Sequence, residues 1–195
     1  MRVLVARLAF AVLWFLVAAP STPAAEAFAC QELGVTFPAE LGGLPLTGVT
    51  DYERDEPGLG VGLSYRKDRI KADLYVYSAG IPVVPAGVKS KLMDDHFYQM
   101  SGDVVEMERR GVYEGVQILI PEEVVLIGRR PFLHANLRFA FEGTPMDSHI
   151  YLTGLAGRFL KIRFSFPESD AQTAREIQRA FLAQLGGILD EVPAR

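Results

Sequence analysis

The chain has 195 residues, of which 49% are hydrophobic and 23% are charged, and its formal net charge at pH 7 is −4. So large an apolar share is typical of a globular protein and excludes a disordered one. The negative charge argues against polyanionic partners, so we predict no binding to nucleic acid. A chain of this length can bury its apolar residues in a single core.

The N-terminus has the layout of a secretory signal peptide. Arg2 and Arg7 precede an uncharged apolar run over residues 8–19, and small residues follow it. This run is shorter than the roughly 20 apolar residues that a helix needs to cross a bilayer. The pattern therefore predicts a signal that is removed and not a membrane anchor.

Small residues before the cut are what a leader peptidase selects, and Ala25 and Ala27 supply them, with Ala27 and Ala29 as the second choice. We predict residues 1–27 as a cleavable signal peptide and residues 28–195 as a single domain. The domain is expected to be exported to the periplasm or the exterior, soluble, and without a transmembrane segment.

Cys30 is the only cysteine, so the chain cannot form an intrachain disulfide. In bacterial lipoproteins a cysteine directly after the apolar run is lipidated. Cys30 lies well beyond the run, and the bulky Phe28 stands two residues before it. We therefore predict no lipid anchor, and expect Cys30 to be a small buried hydrophobe or an unpaired thiol near a mobile terminus.

The first elements of the domain are predicted to be strands. Residues 35–50 are too interrupted by glycine and proline for a helix, and they predict strands and turns. Residues 60–66 and 71–78 predict a hairpin, because the second run alternates apolar residues with Asp73 and Tyr75.

The first helix is predicted over residues 88–100, where apolar residues recur at helical spacing and charged residues fall mostly on the other face. His96 lies on the apolar side. This position favours a hydrogen-bonded core histidine over a metal ligand.

Period-two alternation predicts strands from residue 103 to residue 166. The candidate strands are 103–109, 112–120, 124–127, 132–141, 148–153 and 158–166. Short links rich in glycine, proline and charge separate most of them, and such links require antiparallel neighbours. This part of the chain therefore predicts an antiparallel meander.

A second helix closes the chain. Ser169 and Gln172 have the spacing of a capping box, and Gly186-Gly187 predicts the end of the helix. The predicted buried face comprises Ala174, Ile177, Phe181 and Leu185.

The order of elements is a hairpin, a helix, a run of antiparallel strands and a final helix. It predicts the α+β class, an antiparallel meander sheet with helices packed on it. This order, in a chain with an export signal, resembles the PsbP-like α/β/α sandwich. The resemblance covers most of residues 28–195 and rests on element order. It implies a noncatalytic accessory subunit or binding module.

Catalytic motifs are missing from the sequence. It contains no Gly-x-Ser-x-Gly elbow and no second metal ligand four residues from His96. We interpret the carboxylate pairs Glu122-Glu123 and Asp94-Asp95 as solvated surface residues, because an acidic protein carries such pairs whether or not it is an enzyme. We predict no catalytic residues, no metal and no cofactor.

The most informative pattern lies in the last three predicted strands. If their pleats align, one polar face collects cationic, histidine and tyrosine side chains. The candidate ligand-binding residues on this face are His134, Arg138, His149, Tyr151, Lys161 and Arg163. Clustered donors of this kind could bind a carboxylate or phosphate. The alternative is an ordinary solvated sheet face.

Two functions stay open at this point. The first is an exported noncatalytic module that binds an anion or an acidic protein surface through this face. The second is a cell-envelope hydrolase whose carboxylate acid and base are not identified. An enzyme should have a deep pocket with convergent titratable groups, whereas a binding module should have an open face or a shallow groove.

Overall fold

The structure is a computed structural model that describes residues 26–193, so most of the predicted signal peptide lies outside the described residues. The strands are β1 (Phe28–Cys30), β2 (Val35–Phe37), β3 (Glu40–Leu41), β4 (Leu44–Asp51), β5 (Val61–Lys67), β6 (Ile70–Tyr77), β7 (Glu114–Ile127), β8 (Arg130–Phe141), β9 (Thr144–Leu155) and β10 (Arg158–Pro167). The helices are α1 (Lys91–Arg109) and α2 (Ala171–Asp190), and a short 3-10 turn (Glu168–Asp170) precedes α2.

Eight strands form one sheet in the order β3-β4-β5-β6-β10-β9-β8-β7, and β1 and β2 form a separate hairpin. All strand pairs are antiparallel. The predicted hairpin is β5-β6, and the predicted meander is β7 to β10. The α+β class and the antiparallel meander are therefore confirmed.

The two helices cover opposite faces of the sheet. Met93, Phe97 and Met100 of α1 pack against Leu137 and Leu152, whose side chains lie on one face. Phe181 and Leu185 of α2 belong to a second core with Ile162 and Phe164 of β10, on the other face. The architecture is thus an α/β/α sandwich, and much of the sheet is buried on both sides.

The first helix differs from its prediction at both ends. It begins after Ser90, whose side chain accepts a hydrogen bond from the Met93 amide, and it continues to Arg109. The predicted strand over residues 103–109 is therefore wrong. Val104 continues the buried stripe of the helix beyond Met100, so the apolar periodicity of the helix extends through this segment.

The predicted strands at 112–120 and 124–127 are parts of one strand, β7, which pairs with β8 through several register irregularities. Pro121 lies between them. Because β7 is an edge strand, a residue without an N–H can be accommodated there without breaking a central ladder.

The start of α2 also differs from its prediction. Asp170 is the N-cap residue but its side chain makes no capping bond, and the Ser169 hydroxyl donates to Asp170 Oδ1 at 3.0 Å. The predicted capping box is therefore wrong. On the predicted apolar face, Ala174, Phe181 and Leu185 are buried and Ile177 is partly buried.

The Gly186-Gly187 pair does not end α2. The helix passes through both residues to Asp190. Gly186 instead permits a close backbone contact, since a Cβ atom there would lie 2.4 Å from the Gly128 amide nitrogen. No helix in the described part of the chain has the length and hydrophobicity needed to cross a membrane.

Cys30 lies in an ordered strand and not on a loose terminus. It pairs with Val35 in the β1-β2 hairpin and is buried in the core on the α2 side of the sheet. Burial raises the pKa of its thiol to about 11. Of the two roles predicted for this cysteine, the small buried hydrophobe is confirmed.

Candidate functional site

The six predicted ligand-binding residues do not share one face. In the β9-β10 register, His149 lies opposite Phe164 and Tyr151 opposite Ile162. Residues opposite one another in a ladder project to the same side of a sheet, so Lys161 and Arg163 project to the other side. The prediction of a single shared face is therefore wrong.

His134, Arg138, His149 and Tyr151 remain together on the α2 side, because His134 pairs with Tyr151 and Arg138 with Asp147. Lys161 and Arg163 lie on the α1 side, opposite Tyr75 and Asp73 of β6. Each group has different neighbours and a different charge balance.

The polar residues beside α1 form a surface that we call the cationic face. It is built from three adjacent strands, β5, β6 and β10, in which half-buried polar residues alternate with buried apolar ones. Its residues are Ser64, Arg66, Lys71, Asp73, Tyr75, Lys161 and Arg163. Only Lys161 and Arg163 are among the residues predicted from the sequence, although the alternation in the predicted hairpin was a signal for the residues of β6.

Within the cationic face, Asp73 is already committed to other groups. It accepts a hydrogen bond from the Ser64 hydroxyl at 2.7 Å and forms an ion pair with Arg66 at 3.1 Å. This carboxylate therefore neutralises Arg66, which lies on the neighbouring strand.

Arg163 is held by neutral groups. Its Nε donates to the Ser148 hydroxyl at 3.2 Å and its Nη2 to the Tyr113 hydroxyl at 3.3 Å. The guanidinium carbon lies 5.8 Å from the ring centroids of Tyr113 and Phe139. Among the described residues, no carboxylate lies within ion-pair distance of Arg163 or of Lys161.

Lys161 and Arg163 line a small cleft between α1 and the sheet. The cleft has a volume of about 30 Å³, and its other walls include Met100, Asp103, Met107 and Tyr113. It has room for a water molecule or for the end of a small polar group. Two cationic side chains thus border one partly enclosed space.

The electrostatics of the cationic face show an excess of positive charge. Burial, with the repulsion of Arg163, lowers the pKa of Lys161 to about 8, and burial next to Arg66 lowers the pKa of Lys71 to about 8. Burial raises the pKa of Asp103, and the positive charge of Lys161 opposes this rise. An added anion would relieve the repulsion.

The α2-side group is a hydrogen-bonded chain. His134 Nδ1 lies 2.8 Å from Glu123 Oε1, and His134 Nε2 lies 2.9 Å from His149 Nδ1. Nε2 of His149 lies 3.4 Å from Asp147 Oδ1. Burial lowers the pKa of His149 to about 4. The polar side chains of this hydrogen-bonded network are therefore hydrogen-bond partners for one another.

The other two residues of this group are also partnered. Tyr151 accepts a hydrogen bond from the Gln178 amide of α2 at 2.9 Å, and Arg138 forms an ion pair with Glu168 at 2.9 Å. Within the described residues, no three His, Cys, Asp or Glu side chains are grouped so as to hold a metal ion.

His96 is a partly buried core histidine, as predicted. Its Nε2 is hydrogen-bonded to the Tyr77 hydroxyl at 2.7 Å, and its ring stacks on Phe159 with centroids 4.2 Å apart. Burial, with the positive charge of Lys161, lowers its pKa from 6.5 to about 4. The fold therefore favours the neutral ring.

This shift predicts a loss of stability on mild acidification. A histidine whose pKa is depressed by folding contributes its full stabilisation above pH 6.5 and loses it as the pH falls towards 4. We expect urea denaturation midpoints to fall between about pH 7.5 and pH 5, and His96→Gln to fall less, because glutamine can bond Tyr77 without titrating. An equally steep pH dependence in the variant would show that other groups, such as His149, cause the loss.

Comparison with known proteins supports the fold. No family model matches the chain, and no curated protein matches it in sequence. The solved structure of PsbP (CyanoP) from the cyanobacterium Synechocystis is similar over 84% of this chain and 94% of that chain, with a TM-score of 0.51 and 12% identity. The crystal structure of LpqN, which is involved in cell envelope biogenesis of Mycobacterium tuberculosis, is similar over 71% of this chain and 78% of that chain, with a TM-score of 0.40 and 11% identity.

The chain thus has a PsbP-like α/β/α sandwich fold, as element order predicted. At this level of identity the similarity concerns the fold alone, and function must be argued from the site.

Proposed function

We propose that this protein is an exported, noncatalytic binding module that holds an anionic group in the cleft of its cationic face. The observation that carries the proposal is the pairing of Lys161 and Arg163, two half-buried cations that line one cleft without an ion-pair partner among the described residues. Removing charges from water without pairing them is costly, so such an arrangement gains stability when an anion completes it.

The chemistry of the cleft favours a carboxylate or a phosphate. Ser148 and Tyr113 fix the Arg163 guanidinium, which presents a planar set of donors suited to the oxygens of either group. Lys161 adds a point charge beside it. A cleft of about 30 Å³ admits the end of an acidic side chain or a small anion more readily than a large ligand.

The same geometry favours a binding module over a hydrolase. We expected an enzyme to have a deep pocket with convergent carboxylates. The cleft is small, and Asp103 is the carboxylate that lines it. The α2-side group is engaged in its own hydrogen bonds, so the proposal rests on Lys161 and Arg163 and leaves out the other four predicted residues.

The test compares one substitution on opposite faces of the sheet. Arg163→Gln, alone and with Lys161→Gln, should weaken binding by about tenfold or more, since hydrogen bonds to charged groups contribute about 1.5–3 kcal/mol each. Arg138→Gln removes the same charge on the α2 side and should leave binding unchanged. Calorimetric titration with inorganic phosphate and with a glutamate-rich peptide distinguishes a free anion from an acidic protein surface.

Salt and stability provide the controls. Wild-type binding should weaken as the salt concentration rises, because the interaction is between charges. Arg163→Gln and Lys161→Gln should unfold at the same or a higher denaturant concentration than wild type, since each removes the repulsion between these two cations. Equal affinities of Arg163→Gln and Arg138→Gln for both probes would contradict the proposal.

Export is part of the same proposal. The first described strand begins at Phe28, so cleavage after residue 27 leaves the described strands and helices intact. We predict that intact-mass measurement of the exported protein gives an N-terminus at Phe28 and no lipid on Cys30, whose side chain is packed in the core. A mass increase corresponding to a diacylglyceryl group would contradict this.

A further inference from the structure

The two edges of the eight-stranded sheet differ in their protection. One edge is β3, which has only two residues and lies against α2, where the Gly42 amide donates to Gln184 at 2.9 Å. The other edge is β7, which with 14 residues is the longest strand in the described part of the chain. Long unprotected edges offer unpaired backbone groups to another chain.

Apolar side chains are concentrated on this free edge. Among large hydrophobic residues exposed in the described chain, four of seven lie on β7: Ile118 (45% exposed), Leu119 (42%), Val124 (60%) and Leu126 (71%). Single exposed apolar residues are ordinary, but a row of them on one strand marks an interaction surface. We propose that the β7 edge binds an extended, cationic segment of another protein by strand addition.

The half of β7 best suited to this is Glu123–Ile127. It pairs with β8 without interruption, from Glu123 opposite His134 to Ile127 opposite Arg130, whereas the first half contains the register irregularities. In a regular antiparallel strand, alternate residues direct their N–H and C=O groups away from the existing partner. The side chains of Val124 and Leu126 project to the same face of the sheet, next to these outward-directed backbone groups.

The charge of β7 identifies the kind of occupant. The strand carries Glu114, Glu122 and Glu123 and no lysine or arginine. Because Glu123 is hydrogen-bonded to His134, Glu122 is the carboxylate next to the regular half of the strand without a bond of this kind among the described residues. The two arginines that follow it are engaged, Arg129 with Asp190 and Arg130 with the Val192 carbonyl. The charged groups that a second copy of β7 would bring to the seam are all carboxylates, whereas a segment that alternates apolar residues with lysine or arginine is complementary in charge.

The experiment uses the chain without residues 1–27 and a labelled probe peptide that alternates valine and lysine. We expect saturable binding by fluorescence anisotropy, with slower amide hydrogen exchange over residues 123–127. The same peptide with glutamate in place of lysine should bind at least about tenfold more weakly. A peptide N-methylated at alternate residues should not bind, because it cannot form the ladder.

Matched variants locate the contact. Val124→Ser with Leu126→Ser, both at exposed positions, should weaken binding of the valine-lysine probe about tenfold without affecting folding. Val83→Ser, at a position 72% exposed and outside β7, is the control and should bind like wild type. Equal binding by all variants, or equal binding of the N-methylated peptide, would overturn the proposal. A concentration-dependent dimer that protects residues 123–127 would overturn it in favour of self-association.

Discussion

Replacing Phe181 by alanine is expected to lower the free energy of unfolding by about 3–5 kcal/mol. Phe181 is fully buried in the core between α2 and the sheet. Its ring packs edge-on against Tyr65 and Phe164, with centroids 5.7 Å and 5.9 Å away. Truncation removes these contacts and leaves a cavity that rigid neighbours on the sheet cannot fill.

The control is Arg179→Ala, an exposed position two residues before Phe181 on the same helix. It should change the free energy of unfolding by less than about 0.5 kcal/mol. Urea denaturation followed by circular dichroism measures both variants. Similar midpoints for the two would mean that α2 packs through a different face.

Gly186→Ala and Gly187→Ala should have effects of opposite sign. A Cβ atom at Gly186 would lie 2.4 Å from the Gly128 nitrogen and 2.8 Å from its Cα, so the backbones must separate. Overpacking of this kind costs about 1–3 kcal/mol. At Gly187 a Cβ atom meets nothing within 4 Å, and alanine favours a helix interior over glycine by about 0.5–1 kcal/mol.

The pair is informative because the residues are neighbours in sequence and in the same helix. Denaturation midpoints should fall for Gly186→Ala and rise for Gly187→Ala. If both variants were stabilised, the close approach of α2 to the β7-β8 turn would be incorrect.

The sequence was sufficient to predict features that depend on local patterns. The β5-β6 hairpin, the strands of the meander and the buried face of α2 follow from side-chain periodicity over a few residues. The predicted ends of the two helices were less accurate. In α1, Val104 is part of both a helical stripe and an alternating run, and only packing against the sheet decides between them. In α2, Gly186 allows a close backbone contact with Gly128, which is far away in sequence.

The predicted site was only partly correct because it depended on registers between strands. Alternation within β8, β9 and β10 was predicted, but the offset between strands decides which faces coincide. In the structure Phe164 lies opposite His149, so the apolar side of β10 faces the same way as the histidines. A shift of one residue moves a whole set of side chains to the other face.

The neighbours of Lys161 and Arg163 were missed for a related reason. Tyr75 and Asp73 are separated from Lys161 and Arg163 by about half of the domain in sequence. β6 meets β10 only because the chain returns to the hairpin after the meander. Element order alone does not indicate this pairing. It is this long-range pairing that places Arg66 and Lys71 beside Arg163.

The titration of Lys161 is the most direct test of the anion-binding cleft. Side-chain NMR of the ¹³Cε–¹⁵Nζ group, assigned by the loss of its signal in Lys161→Arg, gives the pKa with and without inorganic phosphate. We predict a pKa near 8 in the free protein that rises towards 10.5 when the anion binds. A pKa of 10.5 that does not change with phosphate would contradict the cleft as an uncompensated cationic site.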